Sequence, residues 1–361
     1  MIEEAAPEQR RQDNEQHEAI KFTAHSPYCT RDEIIDGRWV AESDSKGDLV
    51  RGAAPYITHT THLRCFTKEY YQTQWIDWQW RPRSDCVLTQ FDPQLFCSVF
   101  RNSLVLIAGD SLSWEHYSSL LQLLGVPVKQ GLQHQSRELR ETIVFQQCNV
   151  TLAYQRDDKL QNLTSTLEKW QPDVLILNRG AHFVPDEELE QDVQNIILPA
   201  VRQWQSRCEH CQLLWRTSVP GHPDCKSFSE PVSDRASMEA HIANLTLYNE
   251  RSINYHWYDY QRQNELVLRL LKDVPHHVID AYYLNVLRPD QHRAHQDDCL
   301  HNCYPGKMDI YNQLLLHIVQ QHRTHVPAEP RQVQVTVYDK KATEQAKEER
   351  LHKGSKAKKK Q

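Results

Sequence analysis

The segment from Ser103 to Leu124 most constrains how this chain can fold. Five apolar residues, Leu104 to Ala108, lead into Gly109-Asp110-Ser111, after which apolar residues recur at helical spacing. The pattern predicts a buried strand, a tight turn and a helix, with Ser111 where the strand ends and the helix begins. Ligands of open parallel sheets bind outside such strand ends, where the N–H groups of a helix N-terminus stabilise an anion. Ser111 is therefore either a nucleophile or simply the N-cap of the helix, a position that serine favours.

A second pattern, near the carboxyl end of the chain, favours the nucleophile. In Asp298-Cys299-Leu300-His301 a carboxylate precedes a histidine by three residues. One short turn would then supply both a general base, His301, and the group that orients it, Asp298. Such triads are recognised by the roles of their members rather than by their order in the chain. The two patterns together predict a Ser-His-Asp site.

The motifs around these residues resemble those of a known family. In chain order they are Trp78-Gln-Trp-Arg-Pro82, Gly109-Asp-Ser-Leu112, Asn178-Arg-Gly-Ala-His182, Arg288-Pro-Asp290 and the segment from Asp298 to Gly306. A GDS triplet near the first strand and a DxxH motif near the last helix resemble the SGNH (GDSL-like) hydrolases. The complete set is similar to the PC-esterase branch, specifically the plant trichome-birefringence-like polysaccharide O-acetyltransferases. The resemblance covers roughly residues 29–319.

The resemblance implies an α/β fold of the SGNH type, a doubly wound parallel sheet flanked by helices, with an N-terminal segment that disulfides tie to it. Predicted strands near Leu104, Leu175, Leu213 and Val278 alternate with helices, which also favours a doubly wound sheet. We expect a disordered segment over 1–25, one catalytic domain over 26–323 and a flexible basic tail over 324–361. The catalytic domain divides into an N-terminal subregion, 26–100, and an α/β core, 101–323. A nucleic-acid or membrane-surface role of the tail is the alternative.

The resemblance also implies roles for individual residues. Ser111, His301 and Asp298 would be the catalytic residues. The N–H of Ser111, Gly180 and the side chain of Asn178 would form the oxyanion hole, although Asn178 in a turn could also cap local N–H groups. The substrate cleft would include Asp110, His182, Arg216, Arg288 and Asp290.

The activity implied by the family is a two-step acetyl transfer. An acetyl donor, acetyl-CoA or a carrier derived from it, would acylate Ser111, and a polysaccharide or oligosaccharide hydroxyl would then take the acetyl group, with no bound cofactor. Nine Trp and fifteen Tyr suit a sugar-binding cleft, but such residues are also common in cores. If water is the acceptor, the protein is an acetylesterase. A non-catalytic glycan-binding relative is a third possibility.

Ten cysteines raise the question of disulfide bonds. The family pattern pairs Cys29 with Cys86, Cys65 with Cys303, and Cys225 with Cys299; the alternative is that these are buried thiols. The remaining cysteines are Cys97, Cys148, Cys208 and Cys211. The motif Cys208-Glu-His-Cys211 predicts a local bridge or free thiols rather than a metal or redox pair, because no second such pair is present.

Glycosylation sequons also indicate the secretory pathway. They occur at Asn149, Asn162 and Asn244. The family usually carries an N-terminal membrane anchor facing the Golgi lumen, the location that the resemblance implies. The first twenty residues hold no apolar segment, so we expect that such an anchor is missing from this chain. A cytoplasmic protein with reduced cysteines is the alternative.

Other functions find less support in the sequence. A net charge of −6 gives no electrostatic footprint of nucleic-acid binding. His182, His222 and His292 lack compact ligand spacing, so we expect polar cleft or surface histidines and no metal. The chain departs from the family where Ser113-Trp-Glu115 replaces an Arg-Asn segment and where Asn302 replaces Trp. Donor or acceptor contacts are expected to differ there.

Overall fold

The computed structural model describes residues 26–43, 47–49, 76–126 and 140–323, together with positions 65, 69, 70, 74, 327 and 329. The predicted disordered segment, 1–25, lies outside the described residues, as does the predicted tail, 324–361, apart from positions 327 and 329. Within the described part, no helix is both long and apolar enough to span a lipid bilayer.

Strands and helices alternate along most of the chain. The strands are β1 (Gly37–Ala41), β2 (Trp78–Pro82), β3 (Leu104–Gly109), β4 (Arg140–Phe145), β5 (Val150–Arg156), β6 (Val174–Leu177), β7 (Gln212–Arg216), β8 (His277–Ile279), β9 (His292–Arg293) and β10 (Asp298–Asn302). The α-helices are α1 (Arg31–Ile35), α2 (Pro93–Phe100), α3 (Ser111–Leu123), α4 (Leu163–Trp170), α5 (Asp186–Asp192), α6 (Leu198–Gln205), α7 (Arg235–Ala243), α8 (Tyr260–Leu271), α9 (Ala281–Val286) and α10 (Lys307–His322). A π-helical segment, Val193–Ile197, joins α5 to α6.

A six-stranded sheet with the order β4-β5-β3-β6-β7-β8 forms the centre of the described residues. The last five strands of this order are parallel to their neighbours, whereas β4 pairs antiparallel with β5. Only the turn over 146–149 separates β4 from β5, which is too short for the crossover that parallel strands need. The predicted α/β class is confirmed, and the sheet is mixed because of this edge hairpin.

The strand β3 is buried along its whole length because the sheet is covered on both faces. Val105 and Ile107 pack in one apolar cluster with residues of α3 and α10. Leu104, Leu106 and Ala108 pack in a second cluster with residues of α4, α5 and α6. The continuous apolar run that precedes Gly109 therefore reflects helices on both sides of the sheet, as in a doubly wound fold.

The helix α3 begins directly after β3, and Asp110 is its N-cap. The Asp110 Oδ1 atom accepts hydrogen bonds from the N–H groups of Leu112 at 2.9 Å and Ser113 at 3.3 Å. Ser111 is the first residue of the helix. The alternative interpretation of Ser111 as the N-cap is therefore wrong, because the preceding aspartate satisfies the free N–H groups of the first turn.

The N-terminal segment packs against the domain through tryptophans. In the antiparallel pair of β1 and β2, Trp39 and Trp80 make an edge contact with ring centroids 5.5 Å apart. The indole N–H of Trp39 donates to the Leu284 carbonyl at 2.9 Å, and that of Trp80 donates to the Ile34 carbonyl at 2.8 Å. The guanidinium of Arg288 lies 4.5 Å above the Trp39 ring. These contacts bind the β1–β2 pair to α1, to α9 and to Arg288, which follows α9.

Disulfide bonds join all ten cysteines, each of which is a described residue. The structure contains the three bridges that the resemblance implied, Cys29–Cys86, Cys65–Cys303 and Cys225–Cys299. It adds Cys97–Cys148 and Cys208–Cys211. The bridges at Cys299 and Cys303 close loops with sequence separations of 74 and 238 residues. They attach on either side of His301, so they restrict the strand that carries it as well as the unfolded chain.

Candidate active site

Ser111, His301 and Asp298 form a continuous chain of hydrogen bonds. The Nε2 atom of His301 lies 2.9 Å from the Ser111 Oγ, and its Nδ1 lies 2.8 Å from the Asp298 Oδ2. A nucleophile, a base and a group that orients the base stand in this order in serine-dependent acyl transfer. The structure therefore brings together the three residues that the sequence singled out, from positions 190 residues apart.

The Asp298 carboxylate also shapes the strand that carries His301. Its Oδ1 accepts hydrogen bonds from the N–H groups of Leu300 at 3.1 Å and His301 at 3.0 Å. The sequence predicted a short turn here. The structure has a short strand, β10, whose pairing with β9 shifts register between Asp298 and Asn302. This irregularity lets the carboxylate bind both the backbone and the imidazole.

The charges of the site favour a protonated His301 beside an ionised Asp298. Burial lowers the pKa of His301, but the hydrogen bond to Asp298 and the negative charges of Glu115 and Asp298 outweigh it, so the pKa lies above the ordinary value of 6.5. Burial raises the pKa of Asp298, but the hydrogen bond and charge of His301 hold it well below its ordinary value. The side chains of His301 and Asp298 remain 17% and 18% exposed. Because negative charges and the Asp298 hydrogen bond surround the ring, an imidazolium formed during a reaction would be stabilised.

The predicted oxyanion hole is only partly compatible with the geometry. Within the described residues, the backbone N–H groups of Ser111 and Gly180 donate to no protein acceptor, so both remain available to an anion. The Nδ2 of Asn178 instead donates to the Arg216 carbonyl at 2.9 Å and to the Ser218 Oγ at 3.4 Å. The assignment of the Asn178 side chain is thus corrected: this amide links the ends of β6 and β7.

Asp110 is buried and connects two loops of the site instead of lining a cleft. Its side chain is fully buried, and its Oδ2 accepts a hydrogen bond from the N–H of Ala181 at 2.9 Å. The other oxygen caps α3, and the Tyr154 hydroxyl donates to the Asp110 carbonyl at 2.8 Å. Asp110 therefore ties the turn that carries Ser111 to the loop that carries Gly180.

Three other predicted cleft residues are also buried, which corrects their assignment. Arg216 is 0% exposed, and its NH2 donates to the Ser113 Oγ at 3.1 Å. Arg288 and Asp290 form a bidentate ion pair of 2.9 and 3.0 Å, with side chains only 1% and 7% exposed. Because Arg288 also lies on the Trp39 ring, the Arg288–Asp290 ion pair stabilises the contact with the β1–β2 pair. A polymer acceptor cannot reach these groups.

The accessible charged groups near Ser111 include residues that the sequence analysis missed. His182 is the predicted cleft residue that stays open, with a side chain 40% exposed and its Nε2 3.4 Å from the Asp158 Oδ2. Asp158 also pairs with Arg156 at 2.8 Å. Arg156 ends β5 opposite Gly109, so it lies at the same edge of the sheet as Ser111. The sequence feature that could have identified Arg156 is its position at the end of a strand. That position becomes informative only once β5 is known to pair with β3.

His222 and His292 are neither surface nor cleft residues, so that expectation is wrong. Both are buried, with the Nδ1 of His222 2.7 Å from the Nε2 of His292. Their other ring nitrogens lie within hydrogen-bonding distance of the carbonyls of Val286 and His301, at 2.9 and 3.2 Å. Burial is the largest effect that lowers the pKa of each ring. The pair packs behind the backbone of His301.

One group of potential metal ligands occurs among the described residues, formed by Cys208, His210 and Cys211. The two sulfur atoms are bonded to each other in a disulfide. A disulfide sulfur is not the thiolate that binds zinc, so this group does not form a metal site in the oxidised protein. The local bridge agrees with one of the two interpretations of this motif.

The three sequon asparagines lie on the surface. Asn149 is in the β4–β5 turn, Asn162 precedes α4, and Asn244 follows α7; all are exposed. Each position is thus accessible to glycosylation, which stays a prediction.

Gly109 permits the close approach of three elements, and its replacement is expected to destabilise the protein. Its φ is +152°, and an added Cβ would lie 2.4 Å from the Ser113 Oγ and 2.8 Å from the Asn178 carbonyl oxygen. We expect Gly109→Ala to lower the free energy of unfolding by at least about 2 kcal/mol. Urea unfolding monitored by circular dichroism would measure this.

Gly125→Ala is the matched control. Gly125 has a φ of +70° and nothing within 4 Å of an added Cβ, so only backbone strain of about 1 kcal/mol is expected. Equal losses at the two positions would contradict the proposed crowding at Gly109.

Comparison with known proteins finds similar plant proteins. No profile of a known protein family matches the chain. Xyloglucan O-acetyltransferase 4 of Populus trichocarpa is 22% identical over 351 residues, which cover 80% of this chain and 81% of that protein. Protein trichome birefringence-like 23 of Arabidopsis thaliana is 24% identical over 365 residues, and protein trichome birefringence-like 24 is 23% identical over 359 residues. The alignments cover 80–81% of each chain. Over about 80% of its length the chain is therefore similar to trichome-birefringence-like proteins and to a xyloglucan O-acetyltransferase.

Proposed function

We propose that this protein is a polysaccharide O-acetyltransferase that carries the acetyl group on Ser111. The observation that carries the proposal is the hydrogen-bonded chain from Ser111 through His301 to Asp298. The name of the Populus relative supports acetyl transfer to a polysaccharide, since it is a xyloglucan O-acetyltransferase.

The first step transfers the acetyl group from the donor to the enzyme. The Ser111 Oγ attacks the acetyl carbonyl carbon while its proton moves to the Nε2 of His301, which lies 2.9 Å away. The oxyanion is stabilised by the N–H groups of Ser111 and Gly180. The bond to the leaving group then breaks, and His301 returns its proton to that group. For acetyl-CoA or a derived thioester, the products are the free thiol and acetyl-Ser111.

The second step transfers the acetyl group to the sugar. A polysaccharide hydroxyl gives its proton to the Nε2 of His301 and attacks the acetyl-Ser111 carbonyl. The bond to Ser111 breaks, and His301 returns the proton to the Ser111 Oγ. Asp298 stays ionised throughout and holds the His301 Nδ1–H, so the same two residues serve both steps.

Five disulfides support folding in an oxidising compartment. We place the protein in the secretory pathway, in the Golgi lumen, where the exposed sequons would be glycosylated. The catalytic unit is the domain over 26–323, which contains every residue of the proposed site.

Acetyl transfer by the purified protein tests the function. The protein would be produced in an oxidising host and incubated with acetyl-CoA and a panel of cell-wall oligosaccharides, with mass spectrometry to separate acetylated sugar from free acetate. We expect acetyl groups on at least one oligosaccharide. Free acetate at the same rate whatever sugar is present would instead identify an esterase. No product of either kind from the folded protein would contradict catalysis.

The activity is expected to increase with pH through the pKa of His301. The base must be neutral to accept a proton, and the charges of Glu115 and Asp298 with the Asp298 hydrogen bond raise its pKa above 6.5. The acidic limb of kcat/KM should therefore have its midpoint above pH 6.5. A profile measured from pH 5 to 9 with a stable protein would show this limb, and a midpoint below pH 6.5 would contradict the assignment of His301.

A further inference from the structure

Glu115 is a buried carboxylate on the helix that begins with Ser111. It lies four residues after Ser111 in α3, so the two side chains share one face of the helix, and it is 0% exposed. Its oxygens accept the backbone N–H of Asn302 at 3.1 and 3.2 Å and the Asn302 Nδ2 at 2.7 Å. Asn302 directly follows His301. The carboxylate therefore binds the residue next to the proposed base.

Other contacts hold the same part of β10 and the residues around it. The ring of His292 lies with its Nδ1 3.2 Å from the His301 carbonyl. The Arg293 Nε donates to the Asn302 carbonyl at 3.1 Å, and the Tyr304 hydroxyl donates to the Glu115 carbonyl at 2.6 Å. The peptide that joins His301 to Asn302 is thereby bound at its carbonyl and at its N–H. Its position is therefore fixed relative to both α3 and β9.

Arg293 compensates the charge of Glu115. Its NH2 lies 2.7 Å from the Glu115 Oε1, and the two side chains are 12% and 0% exposed. An uncompensated carboxylate at this depth would be strongly destabilising, so the two residues act as a pair. The pair also acts on the imidazole: the charge of Glu115 raises the pKa of His301, and the charge of Arg293 lowers it.

We propose that Glu115 is a positioning residue that sets the place of the His301 imidazole relative to the Ser111 hydroxyl. One helix therefore positions both partners of the Ser111–His301 hydrogen bond. The helix α3 carries Ser111 and holds Asn302 through Glu115. This role deepens the proposed acyl transfer and rests on it. The charged or titratable groups that face His301 are Asp298 on β10, Glu115 on α3, and His292 and Arg293 on β9.

Two substitutions that each remove one charge separate a positioning role from simple destabilisation. Glu115→Gln removes a negative charge near His301, and Arg293→Gln removes a positive one. We expect the pKa of His301, followed by NMR of its ring protons, to fall in the first variant and to rise in the second. We expect kcat to fall between about 10-fold and 10²-fold in Glu115→Gln, with the KM for the acetyl donor changed less, because misplacing a reacting group affects mainly the chemical step.

Asp173→Asn is the matched control. Asp173 is also a buried carboxylate that accepts a backbone N–H, that of Leu104 at 2.8 Å, but it precedes β6 at the opposite end of the sheet. This variant should lose stability and keep both kcat and the pKa of His301. A loss of kcat as large as that of Glu115→Gln at equal stability would show that destabilisation alone explains the effect, and would overturn the proposal.

The ring titration needs no turnover, so it separates the two proposals. Opposite pKa shifts in a protein that transfers no acetyl group would contradict the proposed function and support the arrangement around Glu115. Shifts in the same direction, or no shift, would overturn the positioning role even in an active enzyme. The double variant Glu115→Gln/Arg293→Gln leaves no buried charge unpaired, so it serves if a single variant does not fold. Its kcat is expected to fall as in Glu115→Gln, and an unchanged kcat would contradict the positioning role.

Discussion

Replacement of Ser111 by alanine is expected to reduce kcat/KM for acetyl transfer by about 10⁴-fold or more. The substitution removes the atom that would form the acyl-enzyme, while any oxyanion stabilisation and substrate binding remain as residual catalysis. Only the hydrogen bond to His301 is lost from the side chain, and the residue begins a helix that Asp110 caps. The fold should therefore persist. Initial rates of acetylated oligosaccharide formation would be compared at equal concentrations of folded protein.

Ser118→Ala is a matched control on the same helix. The Ser118 side chain is buried, and its Oγ has no partner among the described residues. The same substitution there should change the rate less than about threefold, because no reacting group is moved. If Ser111→Ala retains a rate within tenfold of the wild type while its circular dichroism is unchanged, another nucleophile must carry the reaction.

Asp298→Asn is expected to cost about 10⁴-fold in kcat. The Asp298 Oδ2 holds the Nδ1 of His301, which leaves Nε2 free to accept the Ser111 proton. An asparagine amide would donate to Nδ1 and would force the proton onto Nε2, the wrong tautomer for a base. The asparagine oxygen can still accept the N–H groups of Leu300 and His301, so the strand should keep its shape. Steady-state kinetics at the pH optimum would measure the loss.

Asp297→Asn is the control for this change. Asp297 is adjacent in the chain, its carboxylate is 79% exposed, and its partner is Lys226 on the surface. Its φ is +55°, a conformation that asparagine also adopts readily. We expect less than about a twofold change in kcat, as for most surface substitutions. Comparable losses in the two variants would mean that Asp298 does not act through the tautomer of His301.

Local patterns in the sequence were enough to predict the centre of the fold and the proximity of three polar residues. The apolar run before Gly109 is a strand buried on both faces, and the apolar spacing after Ser111 is helical because α3 packs against α10. The separation of Asp298 from His301 is short, so their proximity follows from the chain itself. Ser111 joins them because β10 brings the His301 ring to the turn after β3.

The properties that depend on packing between distant segments could not be predicted in this way. An arginine in a motif is expected to be accessible, but Arg288 is buried by Trp39, which lies about 250 residues earlier in the sequence. Asn178 binds the carbonyl of Arg216 because β6 and β7 are neighbours, a fact that neither motif contains. A role for Glu115 can be inferred only from its contacts with Arg293 and Asn302, which are distant in the sequence.

The covalent intermediate tests the account most directly. Wild-type protein would be mixed with the acetyl donor without acceptor, quenched in acid and digested, and the peptide containing Ser111 would be analysed by mass spectrometry. The account predicts the mass of one acetyl group on Ser111, which disappears from the peptide and appears on the sugar when an oligosaccharide is added before the quench. Acetylated sugar formed by a protein that never carries acetyl on Ser111, or formed equally well by Ser111→Ala, would contradict it.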